Sequence, residues 1–158
     1  GVTLGASEMA AARQLVQLYY DVASPYSWFA FETLCRYRTV WNIELSLQPV
    51  ILGGIFIARS KGKKPSLNPR KGAYSAIDTQ RLSKYFDVPI NQPKNLWEVL
   101  VTKGTLKSLR FITAVNLTHP HFTEELSRQL WRRIYVEDID ATEEASLREA
   151  GSAEVRHE

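Results

Sequence analysis

The sequence predicts an α/β protein that begins with a strand–helix–strand unit and continues as helices. Two short β-prone segments flank one helical segment within the first fifty residues, and after Pro49 no further strand pattern follows. The 158 residues are enough for one domain, and 44% hydrophobic with 23% charged residues is typical of globular proteins. This composition excludes disordered and collagen-like proteins. No apolar run approaches the roughly 18 residues of a membrane helix, which excludes a membrane-spanning protein.

The first three elements follow from local patterns. Residues 15–20 are short, apolar and β-prone and stop at Asp21, which indicates a buried strand. Apolar residues then recur at helical spacing from 26 to 37, and residues 43–49 alternate apolar and polar. The helical spacing predicts that the apolar face of this first helix consists of Phe29, Ala30, Leu34, Cys35 and Tyr37. Two strands around one helix predict a parallel crossover, whose helix start lies at the ligand-binding edge of the sheet.

The rest of the chain is predicted to be helix and loop. Residues 51–58 are a short apolar segment. Thr105 is predicted to be the N-cap of the helix over residues 106–117. The predicted helices cover residues 71–86, 96–101, 106–117, 122–136 and 141–150. The apolar set predicted for the 71–86 helix is Ile77, Leu82, Tyr85 and Phe86. The apolar face predicted for the 122–136 helix is Phe122, Leu126, Leu130, Trp131, Ile134 and Tyr135. A two-stranded parallel sheet is not a sufficient core by itself, so we expect further strands beyond residue 158.

Charge and cysteine content limit the chemistry. The net charge is +3, but residues 137–158 hold eight acidic and two basic side chains, so the preceding part is strongly basic. Without a basic face this favours small anions over nucleic acid as partners. Cys35 is the single cysteine, which excludes an internal disulfide, a CxxC redox pair and a thiolate zinc site. Thiol chemistry would therefore use an external thiol.

Ser24-Pro25, between the first strand and the first helix, is the sharpest local motif. Serine is a favoured N-cap and proline a favoured first helical residue, so the pair starts a helix without any further function. The second interpretation is an anion site, because a helix N-terminus has unsatisfied N–H groups and a partial positive charge. Both interpretations stay open on the residues alone.

Other candidate sites are weaker. A serine hydrolase is disfavoured because none of the histidines lies near a nucleophile motif. His119 and His121 are separated by a proline and lack further ligands, so no metal site is predicted. The segment from Arg59 to Lys71 is rich in basic residues and has no acidic one. It is either a solvated loop or a loop that binds carboxylates or phosphates, and Arg70 and Lys71 are the better candidates for such contacts.

Several segments together resemble kappa-class glutathione transferases. The first runs from Tyr20 to Trp28, and the similarity extends in order over residues 14 to 150. The segments that carry it are Tyr20-Asp-Val-Ala-Ser-Pro-Tyr-Ser-Trp28, Phe31-Glu-Thr-Leu-Cys-Arg-Tyr37, Trp41-Asn-Ile43, Pro69-Arg-Lys-Gly72 and Arg110-Phe-Ile-Thr-Ala-Val-Asn-Leu117 with His119-Pro120. The Ser-Pro-Tyr segment is shared with 2-hydroxychromene-2-carboxylate isomerases.

The resemblance implies a fold. It is a thioredoxin-like domain with an inserted all-helical domain: an N-terminal extension over 1–13, the first part of the thioredoxin-like domain over 14–50, the helical insertion over 51–150 and a tail over 151–158. Family members continue into two further strands, a cis-proline loop and a closing helix, which are absent here. We therefore expect this chain to be C-terminally truncated and to bind glutathione weakly.

The resemblance also implies a function. Ser24 stands where thioredoxin-like relatives have a redox cysteine and is expected to donate a hydrogen bond to the sulfur of glutathione. Pro25, Tyr26 and Lys71 are the other expected contacts, and Gly62 stands where members often carry an asparagine. The thiolate would attack a small electrophile or reduce a peroxide, with glutathione as co-substrate and no other cofactor.

The alternatives are a glutathione-dependent isomerase of the hydroxychromene type and an inactive dimerising fragment. The family implies a homodimer in mitochondria or peroxisomes, and no targeting signal, nucleic-acid site or membrane segment is predicted from the sequence.

Overall fold

The computed structural model of the protein describes residues 12–59, 69–94 and 103–155. Strand β1 spans Gln14–Tyr20, helix α1 spans Pro25–Tyr37 and strand β2 spans Ile43–Pro49. The strands pair in parallel, from Gln14 opposite Ile43 to Tyr20 opposite Pro49. The predicted strand–helix–strand start is confirmed, and in the described ranges these two strands make up the sheet. The prediction that the first strand is buried is wrong except at Tyr20, since Leu15 and Tyr19 are exposed.

Helices make up the rest of the described chain. They are α2 (Leu52–Arg59), α3 (Pro69–Phe86), α4 (Leu106–Thr118), a 3-10 turn (Pro120–Phe122), α5 (Thr123–Tyr135) and α6 (Glu144–Val155). The helices predicted over 71–86, 106–117 and 122–136 are confirmed to within two residues at their ends, and the apolar segment 51–58 forms α2. The last helix begins at Glu144 and continues through Gly151. The predicted 96–101 helix lies outside the described residues.

None of the helices in the described ranges has the length and apolar content to cross a membrane.

The core forms where α5 meets α1 and the end of β1. The residues of the predicted face that lie within α5 are buried: Leu126, Leu130, Trp131, Ile134 and Tyr135. Phe122, also predicted on this face, ends the 3-10 turn before α5 and is only partly buried. The Trp131 ring lies 5.3 Å from that of Tyr20 and 4.9 Å from that of Phe31. Such tilted aromatic pairs add to the stabilisation from apolar burial. Because Tyr20 is the last residue of β1, this cluster holds the start of the loop that follows the strand.

The predicted apolar faces of α1 and α3 differ from those observed. Helix α1 buries Trp28, Phe29 and Phe31, whereas Tyr37 is 46% exposed. The aromatic side chains on the inner face of α1 are buried because the helix is covered by both β1 and α5. Helix α3 packs mainly on α1, so Ile77 and Tyr85 stay exposed.

A polar network joins α1 to α5 at the edge of the core. Arg128 Nε donates to Glu32 Oε1 at 2.9 Å, and Trp28 Nε1 donates to the same oxygen at 3.0 Å. The Arg128 guanidinium also lies over the Phe31 ring, 5.3 Å from its centroid. Because these groups are partly shielded from water, the network fixes the rotation of α1 relative to α5.

Candidate functional site

The loop of residues 21–24 connects β1 to α1 and is held by a buried carboxylate. Asp21 is only 3% exposed. Its Oδ1 accepts hydrogen bonds from the Ala23 N–H at 2.9 Å and the Thr105 hydroxyl at 2.8 Å, and its Oδ2 accepts from the Leu52 N–H at 2.9 Å. Three donors compensate for the loss of water around the charge. Asp21 therefore ties the loop to the starts of α2 and α4.

Thr105 has a different role from the one predicted. It does precede α4, and its carbonyl accepts the backbone N–H of Leu109 at 2.9 Å, but its side chain makes no capping hydrogen bond. The hydroxyl instead donates to Asp21. The Thr105 side chain thus bonds to a residue 84 positions away in the sequence rather than to the first turn of its own helix.

Two aromatic side chains of α5 hold the carbonyls of the same loop. Trp131 Nε1 donates to the Ser24 carbonyl at 3.2 Å, and the Tyr135 hydroxyl donates to the Ala23 carbonyl at 2.6 Å. Burial raises the pKa of Tyr135 well above its ordinary value, because a buried phenolate would lack water, and the nearby Asp21 charge adds to this. Tyr135 thus stays a proton donor, and the loop backbone is fixed on both sides.

Ser24 is the N-cap of α1, as predicted. Its backbone is extended (φ −100°, ψ 115°), and its Oγ accepts the backbone N–H of Ser27 at 3.1 Å. A serine hydroxyl that accepts one hydrogen bond still has its own proton to donate. Because Ser24 is only partly buried, that proton can be offered to a ligand beside the positive end of the helix. The capping and the anion-binding interpretations are therefore compatible.

Pro25 and Tyr26 form the first turn of α1. Pro25 occupies the first helical position, where its lack of an N–H costs no hydrogen bond. Tyr26 is 42% exposed, and its hydroxyl donates to Asp78 Oδ2 of α3 at 2.8 Å, with Ser75 Oγ at 3.4 Å. Burial is the largest cause of the raised pKa of Tyr26. Its ring edge packs on Phe29.

Lys71 lies in the first turn of α3, and it shares a helix face with Ser75 and Asp78. Since those two residues contact Tyr26, the Lys71 position faces the start of α1. Arg70 is its exposed neighbour. Gly62 lies outside the described residues, as do the lysines of the preceding loop.

In the described part of the chain, neither Cys35 nor the two histidines, His119 and His121, form a reactive group. Burial, with a smaller effect from Glu124, raises the pKa of the Cys35 thiol to about 12, so it stays protonated at neutral pH. His119 is exposed and contacts Thr118, and the His121 ring packs on Phe122. Among the described residues no cluster of histidine, cysteine or carboxylate side chains could hold a metal ion.

The residues that position Ser24 were not identified from the sequence as part of the site. The sequence pattern places Asp21 at a strand end and Thr105 at a helix cap, and it assigns Trp131 and Tyr135 to the core. A carboxylate directly before a strand-to-helix turn was the available signal for Asp21. The aromatic hydrogen bonds had no local signal, since the partners are 107 and 112 residues apart.

The family model of the DSBA-like thioredoxin domain matches residues 15–154. The chain belongs to this family. The match covers nearly all of the described structure and confirms the thioredoxin-like fold that the resemblance implied.

Curated relatives confirm the resemblance to the kappa class. The chain is 48% identical over 132 residues to glutathione S-transferase kappa 1 of Homo sapiens, covering 84% of this chain and 58% of that protein. It is 42% identical over 139 residues to glutathione S-transferase kappa 1 of Rattus norvegicus, covering 88% of this chain and 61% of that protein. The chain thus spans about three fifths of the length of these relatives.

A solved structure has the same fold. It is that of a 2-hydroxychromene-2-carboxylate isomerase, with a TM-score of 0.67, 15% identity and coverage of 89% of this chain and 65% of that one. At this identity the similarity concerns the fold alone, so it does not favour the isomerase alternative over the transferase.

Proposed function

We propose that this chain binds glutathione at the start of α1 and activates its thiol for transfer to a small electrophile. The observation that carries the proposal is the Ser24 hydroxyl. It caps α1 through its oxygen and keeps a proton to donate, on a loop whose backbone is held by Asp21, Trp131 and Tyr135. Similarity to proteins named glutathione S-transferase kappa supports glutathione as the source of the thiol.

The physical role of Ser24 is to favour the thiolate over the thiol. A free thiol has a pKa near 8.5, and lowering it by one requires about 1.4 kcal/mol of preferential thiolate stabilisation. A hydrogen bond donated by the hydroxyl, together with the positive end of a 13-residue helix, is sufficient to lower the thiol pKa by roughly one to two. The fixed loop keeps these dipoles aligned before the ligand arrives.

The transfer step itself needs little more from the protein. The thiol proton leaves to solvent, and the thiolate sulfur attacks an electrophilic carbon such as that of an aryl halide. A carbon–sulfur bond forms, the carbon–halogen bond breaks and halide departs with the electron pair. The reduction of a peroxide would use the same thiolate: its sulfur attacks one peroxide oxygen, the O–O bond breaks and an alcohol leaves. A second glutathione thiol then displaces the remaining oxygen as water to give the disulfide.

The carboxylates of glutathione are placed by the start of α3. Lys71 and its neighbour Arg70 bring positive charge to a helix start that itself favours anions. Pro25 and Tyr26 line the approach between the two helices, and Gly62 is proposed as a backbone contact. This gives the thiol and the carboxylates separate recognition elements, α1 and α3.

The proposed homodimer has a candidate surface on α3. Its outer side exposes three large residues, Tyr74, Ile77 and Tyr85, at 61%, 55% and 81%. Exposed apolar side chains on one helix are typical of an association surface. Light scattering on the chain and on an Ile77→Lys variant tests this, because a dimer through α3 would become a monomer.

The thiol pKa tests the proposed function directly. We expect glutathione bound to the chain to titrate about one to two pH units below free glutathione, followed by thiolate ultraviolet absorbance or by the rate with an aryl halide. Ser24→Ala should remove most of this difference. Ser24→Asp keeps the helix cap, since aspartate caps as well as serine, but has no proton to donate and repels a thiolate. Both variants should therefore raise the thiol pKa.

Ser27→Ala is the matched control. This serine lies in the same turn but contributes only its backbone N–H, so its substitution should leave the thiol pKa unchanged. A thiol pKa that is the same in wild type, Ser24→Ala and Ser24→Asp would contradict the proposal.

A further inference from the structure

The Glu32 carboxylate of α1 has hydrogen bonds to both of its oxygens. Its Oε1 accepts from Trp28 Nε1 at 3.0 Å and from Arg128 Nε at 2.9 Å, and its Oε2 accepts from Arg128 Nη2 at 3.3 Å. The side chain is only 13% exposed. A buried ion pair adds little net stability compared with apolar side chains of similar size, because both charges lose their water. The distinctive effect of such a group is therefore to fix the orientation of its partners.

Trp28 is the partner of Glu32 that leads back toward the start of α1. Its ring is buried, and the bond from Nε1 to Glu32 fixes the direction in which the indole N–H points. The ring lies parallel to that of Trp131, at an angle of 4° and a centroid distance of 6.2 Å. Offset parallel rings at this distance are within the favourable range for aromatic pairs. A rotation of the Trp28 ring would therefore change the surface on which Trp131 packs.

Trp131 packs against two further rings. Its ring centroid lies 4.9 Å from that of Phe31 and 5.3 Å from that of Tyr20. The Arg128 guanidinium that holds Glu32 also lies over the Phe31 ring, 5.3 Å from its centroid. Two of the three rings around Trp131 are thus held by the Glu32–Arg128 pair, and the third belongs to the last residue of β1.

Both tryptophans donate a hydrogen bond to the Ser24 carbonyl. It accepts the backbone N–H of Trp28 at 3.2 Å, which is the first hydrogen bond of α1, and the Nε1–H of Trp131 at 3.2 Å. Both distances are at the long end of the usual range, so a small displacement weakens these bonds. A change in the direction of the carbonyl also changes the position of the Ser24 hydroxyl relative to α1, because both groups belong to one residue.

We propose that Glu32 is a positioning residue for Ser24, acting through the two stacked tryptophan rings. It holds the first ring, which supports the second, and the second fixes the Ser24 carbonyl and with it the hydroxyl that stabilises the thiolate. The inference rests on the proposed function and deepens it. Glu32 lies eight residues after Ser24, about 12 Å along the helix, and its charge is compensated by Arg128. It therefore acts on the thiol through the rings and not through its charge.

Three substitutions of Glu32 separate orientation from charge and from stability. Glu32→Ala removes the acceptor of the Trp28 N–H and should raise the pKa of the bound glutathione thiol by about half a pH unit, which means about threefold less thiolate at neutral pH. Glu32→Leu fills a similar volume but also lacks the acceptor, so it should give the same higher pKa. Glu32→Gln loses the charge but keeps an oxygen for the Trp28 N–H, so it should stay close to the wild-type pKa.

Glu125→Ala is the matched control. Glu125 is another carboxylate partner of Arg128, bound to its Nη1 at 2.7 Å, and in the described chain its other hydrogen bond comes from Gln129. The substitution removes the same charge from the same arginine and leaves the acceptor of Trp28 in place. The thiol pKa, titrated by thiolate absorbance at a temperature at which every variant is folded, should equal that of the wild type.

A second readout needs no ligand. In a chain with isotope-labelled tryptophan, the indole N–H of Trp131 gives one magnetic-resonance signal, assigned with a Trp131→Phe variant, whose position reports the bond to the Ser24 carbonyl. We expect this signal to shift in Glu32→Ala and Glu32→Leu and to stay in place in Glu32→Gln and Glu125→Ala. A merely structural role for Glu32 would lower the free energy of unfolding without moving the Trp131 signal or the thiol pKa.

Three results would overturn the proposal. One is a thiol pKa that is the same in Glu32→Ala, Glu32→Leu and a wild-type chain that lowers it, which leaves the proposed function standing. A second is a Glu32→Gln variant that behaves like Glu32→Ala, which would show that the charge acts directly. The third is a wild-type chain that leaves the glutathione thiol at its free pKa, which removes the proposed function and this inference together.

Discussion

The starts of α1 and α3 are both helix N-termini beside the same proposed ligand, but they are held very differently. The loop before α1 is fixed by the buried Asp21 carboxylate and by Trp131 and Tyr135 of α5. The start of α3 is exposed, and the Tyr26 hydroxyl of α1 donates to Asp78 in the middle of α3, at a partly exposed position. The loop before α1 therefore belongs to the core, whereas the first residues of α3 lie at the surface.

This difference corresponds to the chemistry proposed for each end. Stabilising a thiolate requires dipoles held to within a fraction of an ångström, which needs a rigid support. Capturing a carboxylate with a long, flexible lysine tolerates more movement. We therefore expect substitutions at the first site to change stability and thiol pKa, and substitutions at the second to change KM alone.

The largest effect is expected for Asp21→Ala. It leaves the N–H groups of Ala23 and Leu52 and the hydroxyl of Thr105 without their acceptor in a buried place. We expect the free energy of unfolding to fall by about 3 kcal/mol or more, a large fraction of the stability of a small domain. Urea titration measures this.

Thr105→Val is the control for that variant, since it removes one of the three donors and should cost only about 1 kcal/mol. Equal losses in the two variants would show that Asp21 does not organise the loop.

A smaller effect is expected for Tyr135→Phe. The ring keeps its place in the core, but the hydrogen bond to the Ala23 carbonyl is lost. The free energy of unfolding should fall by about 1 kcal/mol, and the pKa of the bound glutathione thiol should rise slightly as the loop loosens. Tyr37→Phe at the exposed end of α1 is the control and should alter neither value. A thiol pKa unaffected by Tyr135→Phe would break the link between loop and chemistry.

Lys71→Met tests the role proposed for the start of α3. The KM for glutathione should rise about five- to tenfold with the loss of the cation, while the free energy of unfolding changes by less than about 0.5 kcal/mol. Lys84→Met, in the last turn of the same helix, removes an equal charge far from the start and should leave KM unchanged. If both lysine variants behave alike, the effect is one of overall charge.

The smallest effect at neutral pH is expected for Cys35→Ala. The folded-state pKa of this thiol is raised from 9.0 to about 12 by burial, so below about pH 9 it is protonated in both states. As the pH rises toward 12, ionisation is easier in the unfolded chain and stability falls, by about 1 kcal/mol at pH 10. Unfolding measured across this range should show a shallower alkaline decline in Cys35→Ala. An identical decline would contradict the buried, unreactive role.

Local sequence patterns were sufficient for most elements. Within α5 the predicted face is the buried one because that side of the helix packs into the core against α1, α4 and α6, so its amphipathic spacing corresponds to burial. The same spacing was misleading for α3, where Ile77 and Tyr85 face solvent, since this helix contacts the body mainly through α1. In α1 the buried side chains are Trp28, Phe29 and Phe31, while the similarly large Tyr26 and Tyr37 at its two ends are exposed.

The sequence alone determined the strand–helix–strand start, the helix boundaries and the cap at Ser24, because strand alternation, helical periodicity and capping depend on residues a few positions apart. The resemblance to the kappa class likewise rested on short motifs. Only the tertiary structure decided what holds Ser24 in place and how α3 faces α1. Those contacts join Asp21 to Thr105, Ala23 to Tyr135 and Tyr26 to Asp78, across 84, 112 and 52 residues, and no local pattern specifies pairs so far apart.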